Sequence, residues 1–465
     1  MSVGMDENEA MKQNLKELVH DIFNVLSEYV NSGAPLPTKQ TIELSMKELG
    51  SGARMSTGSK IDLNLLSSIE SERIQSLSHW SNCIMAIETN STIAPVLGSW
   101  ISIQSTSIRL SSKYILHNFL SGLYAIHDTF KLDQSKFDSA FLNMMASFES
   151  KTTLIQVIVP LENLILDSEK YELIDGWSIE RISDETLSTL VHTYPDFGGM
   201  SPRFSLLDLR YGLTRVAELE KTISPTEEKP EMDFVFYAKC DYILDALRVL
   251  KSGLFVNRGI LTRHKDWLFD WGFSISGFGP SSNTSLSSEN RYKLSSDEIP
   301  ALKEIASQMI EDAKPSNLSV ALRRFKFGQE RIEYEDKLID FMIALESLLL
   351  HETNELSYRL SLRTAVFIGS DSQERDAIFK QVKLAYEIRS KIVHGVERVK
   401  ISKELNKSSE NIRSLTRKVE EILRRSIRKM LTLHADGVDI SELPRIVDAQ
   451  ICRTSVFSSE DDTVN

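Results

Sequence analysis

Two residues near the C-terminal end carry side chains suited to phosphate chemistry. In YEIRSKIVHG, residues 386–395, Arg389 stands five positions before His394, and Gly395 follows directly. An arginine is a permanent cation whose planar fork of donors matches a phosphate or carboxylate edge. An imidazole moves protons near neutral pH. On a helix phased at about 100° per residue from Ile378, the residues Val382, Ala385, Ile392 and Val393 fall within roughly 60°, and Arg389 within roughly 20°. A guanidinium on an apolar arc is costly to bury alone, so it must meet a carboxylate, a subunit boundary or a bound anion. His394 lies about 140° round the same helix, so one helix does not aim both groups at one small target. Two copies related by a two-fold axis do. Gly395 suits the left-handed position that stops a helix. In the last turn, the helix end favours imidazolium by up to about 2 kcal/mol. The plain alternative is a routine basic stop signal, with Arg389 simply paired to Glu346 from the helix 332–350.

The elements that must hold these residues divide the chain unevenly. Residues 1–150 read as a helical N-terminal region: Leu15, Leu18, Ile22, Val25 and Leu26 recur at helical spacing. A Gly/Ser patch at 49–60 reads as a loop, and further helices are expected over 112–130 and 135–148. His117 and His127 have no metal-ligand spacing and read as packing or surface residues. From 151 to 290 the pattern is α+β. TTLIQVIVPLENLIL is β-branched, and Asp175-Gly176 supplies hairpin-turn chemistry between two strand-like runs. Helices are expected at 184–192 and 235–251, and a loop at 276–291. Neither Gly277-Phe278-Gly279 nor GFSISG at 272–277 completes a dinucleotide or nucleophile motif.

From 291 to 435 the chain reads as a helical bundle. Ser295 and Glu298 suit a capping box ahead of Pro300. Helices follow to 313, and at 318–327, 332–350, 354–367, 373–394 and 408–432. The segment 436–465 reads as a mostly disordered tail. The fold class is thus mixed and mainly α, with a helical N-terminal region, a central α+β domain and a C-terminal bundle.

Charge adds a partner class. The chain carries a net charge of −12, yet residues 380–430 hold 15 Lys and Arg against 6 Asp and Glu, so the remainder stands at −21. A basic island on an acidic chain directs an anion to one face. Three scattered cysteines, Cys83, Cys240 and Cys452, speak against a disulfide framework or a cysteine-based metal site. The acidic N-terminus does not read as a targeting peptide, and no apolar run approaches the roughly 18 residues of a membrane span. A cytoplasmic protein without membrane segments is expected, with no cofactor and no metal.

The stretch around Arg389 resembles the Apea-like HEPN family. The resemblance rests on ALE-x-LL at 344–349, LS-x-R-x-A at 360–365 and Y-x-x-RS-x-IVHG at 386–395, in order over some 50 residues. It covers roughly 297–432, extends loosely to 151–290 and does not reach 1–150. It implies a dimerising helical bundle with a metal-independent ribonuclease site at the dimer cleft. In that reading His394 acts on the 2′-hydroxyl or the leaving 5′-oxygen, and Arg389 stabilises the charge of the transition state. Glu346 orients Arg389 or His394. Ser390 departs from the Asn, Asp or His common at that position. RNA is the implied partner, held by Lys391, Arg398, Lys400, Arg417, Lys418, Arg424 and Arg425, and the N-terminal half would receive an unknown trigger. A non-catalytic bundle that binds RNA or a protein is the alternative.

Overall fold

The computed structural model describes residues 3–35, 37–45, 54–61, 63–103, 106–127, 130–183, 186, 210–224, 235–257, 259–268, 274–276, 291–310, 315–351 and 354–453. The chain is mainly helical with β-sheet in its middle third, and it forms two compact units. The first comprises 1–162, 176–236 and 257–278; the second comprises 163–175, 237–256 and 279–465. The chain therefore crosses between units several times, and residues on both sides of 150/151 lie in the first unit. The strand Thr152–Glu162 enters the first unit's sheet directly from the helix Gln134–Glu149.

In the first unit, α1 (Val3–Asn31) leads to a hairpin of β1 (Thr38–Ser45) and β2 (Arg54–Ile61), paired from Thr38↔Ile61 to Ser45↔Arg54. The Gly/Ser patch expected as a loop thus contributes a strand, and the N-terminal region is not wholly helical. Four helices follow: α2 (Leu63–Ile69), α3 (Ser71–Gln75), α4 (Ser78–Thr89) and, after the hairpin β3 (Trp100–Ile103)–β4 (Thr106–Arg109), α5 (Ser112–Ile126). Together with α6 (Gln134–Glu149) they enclose a core that includes Leu15, Leu18, Ile22, Leu26, Phe119 and Phe137, all at 0% exposure. The helical spacing of α1 is the cause: one apolar stripe faces inward along its length. His127 packs inside, with Nδ1 2.9 Å from the Leu123 carbonyl, whereas His117 is exposed.

The sheet of this unit is antiparallel. β5 (Thr152–Glu162) pairs with β9 (Tyr211–Glu220) from Thr152↔Glu220 to Leu161↔Tyr211. β12 (Ile260–His264) and β13 (Ser274–Ser276) extend one side, and β8 (Trp177–Arg181) the other. β10 (Thr222–Ser224) joins β3. Lys221 and Asp266 form a buried ion pair at 2.7 Å, with Lys221 also donating to the Ser147 carbonyl at 2.6 Å. Asp175 and Gly176 take φ of +51° and +73°, as the hairpin dipeptide requires. Apart from residue 186, the expected helix at 184–192 lies outside the described residues, as does most of the loop at 276–291.

The second unit contains β6 (Leu164–Leu166) paired in parallel with β14 (Tyr292–Leu294), the short β7 (Lys170–Glu172), and nearly all of α7 (Val235–Leu250). The two-residue β11 (Val256–Asn257) lies where the chain returns to the first unit. The Ser295–Glu298 capping box forms as expected, and α8 (Ile299–Ile310) follows. The bundle is α9 (Ser316–Glu330), α10 (Tyr334–Leu349), α11 (Leu356–Ile368), α12 (Ser372–Val393), α13 (Arg398–Lys407) and α14 (Ile412–Ala435). It ends with α15 (Leu443–Arg453), an ordered helix where a disordered tail is expected. Val447 on α15 is 1% exposed, so burial of an apolar stripe orders the segment. Residues 454–465 lie outside the described residues.

α10 is the central helix of the bundle. Leu338, Phe341, Met342, Leu345, Leu348 and Leu349 are fully buried, and α10 packs on α9, α11, α12 and α14. Gly328 on α9 makes this packing close: a Cβ there would sit 2.4 Å from the Phe341 ring. Among the described residues no helix is long and apolar enough to cross a membrane.

Candidate active site

α12 begins at Asp371, whose carboxylate accepts the Glu374 N–H at 2.8 Å. It ends in a Schellman arrangement. Gly395, at φ +70°, donates its N–H to the Ile392 carbonyl, and Val396 donates to that of Lys391 at 2.9 Å. The residue at the helix stop is thus His394, and it is exposed. The buried stripe of α12 is Ile378, Val382, Ala385 and Ile388. The expected arc differs at its end: Ile392 is only half-buried and Val393 is 57% exposed.

Arg389 lies at the margin of the stripe with its side chain 23% exposed. It meets Glu346 of α10, as the plain reading of the sequence anticipated, but the contact is poor. One guanidinium nitrogen, Nη2, stands 3.5 Å from Glu346 Oε2. Arg389 Nε and Glu346 Oε1 are both buried and have no hydrogen-bond partner among the described residues. Burial pushes the Glu346 carboxyl above its usual range, and Arg389 only partly opposes this. The guanidinium also lies 5.9 Å from the centroid of the Tyr386 ring, one turn earlier. Burial, together with the Glu346 charge, raises the pKa of that phenol.

A second arginine of the bundle shows what a satisfied pair looks like. Arg363 on α11 is 2% exposed and donates from Nε and Nη2 to both oxygens of Asp448, at 2.8 and 2.7 Å. Its Nη1 donates to the Leu349 carbonyl at 2.9 Å, so it ties α11 to α15 and to the end of α10. Arg389 presents the same Nε–Nη2 edge, which receives two parallel bonds in bidentate recognition. That edge is half used.

No protein-family model, curated protein or solved structure matches this chain. The reading of the site therefore rests on its own residues.

The basic island is partly neutralised and partly buried. Arg424 is 1% exposed, ion-paired with Glu420 and Glu421 and bonded to the Arg248 carbonyl at 3.1 Å. It is a core residue and is not presented to a polyanion, a correction to its expected role. The pattern hid this because Arg424 falls on the apolar face of α14 between Leu423 and Ile427. Arg425 is bound to Glu374 at 2.8 Å and to the Ile368 carbonyl at 2.8 Å, which commits it to the bundle. Lys418 pairs with Glu410, Arg398 with Glu333 and Glu335, and Lys400 with Glu397. Lys391 stands 3.7 Å from Glu404. Lys391 is partly exposed, and Arg398, Lys400, Arg417 and Lys418 are exposed. Exposed pairs of this kind are weak and exchange readily for other anions. Among the described residues, no three His, Cys, Asp or Glu side chains are grouped to hold a metal ion.

Proposed function

We propose that this chain is a cytoplasmic endoribonuclease of the HEPN type, acting as a homodimer in antiviral defence or toxin-like RNA cleavage. The observation that carries the reading is the half-used guanidinium edge of Arg389, five residues before an exposed histidine at the helix stop. A structural arginine closes its fork on an acid, as Arg363 does; Arg389 keeps a donor in hand for another anion. His394 points about 140° away on the same helix, so a second copy supplies the missing half of the site.

In the reaction the 2′-hydroxyl oxygen attacks phosphorus and the bond to the 5′-oxygen breaks, leaving a 2′,3′-cyclic phosphate and a 5′-hydroxyl. His394 takes the proton from the 2′-hydroxyl or delivers one to the leaving oxygen. Two copies of His394 across a two-fold axis cover both tasks. Arg389 neutralises charge on the phosphorane-like transition state, where paired donors count most. No step requires a metal. DNA lacks the nucleophile, so RNA selectivity follows from chemistry. The first unit would receive the trigger.

One observation favours a second reading, a bundle that binds RNA or protein without cutting. Most of the basic residues around the site already hold acids, and Arg424 is buried. A single experiment separates the two: incubate the purified protein with total RNA in EDTA. Cleavage that is lost in both His394→Ala and Arg389→Ala supports the nuclease. Cleavage that persists in both variants refutes it, and RNA retention without cleavage supports the binding module.

A further inference from the structure

We infer that Glu346 is a resident stand-in for the phosphate: it occupies the anion position at Arg389 in the resting chain and must leave before a phosphoryl oxygen binds. The inference rests on the reading above for the identity of the anion, and on geometry for the rest. A carboxylate that orients a guanidinium lies along the Nε–Nη2 edge and accepts from both nitrogens, as Asp448 does at 2.8 and 2.7 Å. Glu346 instead stands 3.5 Å from Nη2 and makes no hydrogen bond to Nε. Its second oxygen, Oε1, is buried without a donor, and so is the Nε that would match it.

Both unmatched atoms are thus shielded from solvent, although each side chain is 23% exposed. An oxyanion reaches the buried Nε only when the packing around the fork opens. Once seated, a phosphate oxygen pair satisfies Nε and Nη2 together, and the departing Glu346 carboxylate regains hydration for both of its oxygens. The poor resting contact makes the exchange cheap; a bidentate contact like that of Arg363 would lock it. Tyr386, one turn back, supports the guanidinium with its ring face throughout, so the cation stays placed while its acid changes.

Orientation and competition by Glu346 make opposite predictions, which the full-length protein tests with inorganic phosphate as probe. Affinity is measured by calorimetry for wild type, Glu346→Gln, Arg389→Ala and the double variant. If Glu346 competes, Glu346→Gln tightens phosphate roughly tenfold, the scale of one like-charge repulsion at a partly exposed site. Arg389→Ala abolishes the gain, and Arg389→Lys, which keeps the charge but not the fork, recovers little of it. Unchanged or weaker binding in Glu346→Gln overturns the inference, as does an equal gain in the double variant. Circular dichroism of each variant checks the fold. Loss of the nuclease reading shows in the cleavage assay alone and leaves the phosphate result standing.

Discussion

Replacing each of the two bundle arginines by methionine separates a structural fork from a functional one. Arg363→Met removes donors at 2.8, 2.7 and 2.9 Å from a side chain that is 2% exposed. Charge-assisted bonds contribute about 1.5–3 kcal/mol each, and breaking a buried pair from one side costs about 3–5 kcal/mol. Asp448 is 47% exposed and rehydrates when abandoned, which moves the expected loss to the low end, about 3 kcal/mol. Arg389→Met removes one contact of 3.5 Å between side chains that are 23% exposed, for which about 1 kcal/mol or less is expected. The gap of about 2 kcal/mol is measurable by urea unfolding. The described tryptophans, Trp80, Trp100, Trp177 and Trp267, belong to the first unit, so far-UV circular dichroism is the signal that follows the helices of the second. A loss for Arg389→Met equal to that for Arg363→Met would show that residue 389 is a structural pair, and the argument for an anion site would fall.

Other outcomes follow from the same geometry. Gly328→Ala is expected to cost about 2 kcal/mol by overpacking against Phe341, with partial rescue by Phe341→Leu in the same unfolding assay. The Glu374 carboxyl is held down to about 2 by the Ser370 backbone N–H, the Ser370 hydroxyl and Arg425. Its stabilising contribution is therefore complete above the ordinary carboxylate value and is lost as pH falls from there towards 2; carboxyl NMR titration checks this, and Ser370→Ala moves the midpoint up. The Glu346 carboxyl titrates above its usual range because burial disfavours its charge, so ionising it costs stability as pH rises through that midpoint. Arg389→Ala removes the opposing cation and moves that midpoint higher still, and a fall would contradict the assignment. If Lys391 and Arg417 touch RNA phosphates, each alanine variant lowers the slope of log affinity against log salt by about 0.7, whereas Arg424→Met unfolds the bundle before it alters that slope.

The sequence announced the bundle well because its helices carry their own signals. The stripe from Leu338 to Leu349, the Ser295–Glu298 box and the glycine stop at 395 are each local. The first unit was harder to read. The strand Arg54–Ile61 is built from polar and small residues that read as a loop, and pairing with Thr38–Ser45, not residue type, makes it a strand. Helix α15 was hidden for a similar reason: it is short and lies next to a polar, acidic tail, and its burial depends on a helix far away in the chain, α11. Domain boundaries were least accessible, since strands and helices from distant segments interleave within each unit.

The site itself was visible only in part, and the distinction is physical. Residue type and phase predict that Arg389 needs a partner, because a helix fixes direction to within about a third of a turn. They do not tell a bidentate pair from a looser one, which depends on where α10 lies relative to α12 to within about an ångström. Arg363 and Arg389 show the consequence. Both stand in apolar surroundings and both meet an acid. One closes its Nε–Nη2 edge on Asp448 and braces the bundle; the other leaves Nε without an acceptor beside a carboxyl whose pKa burial raises. Arg424 completes the contrast, since its place in a basic run suggested a surface role and its two acids and one carbonyl hold it inside. The proposed chemistry therefore falls to the cation that the fold leaves half-satisfied, and charge counts alone could not have singled it out.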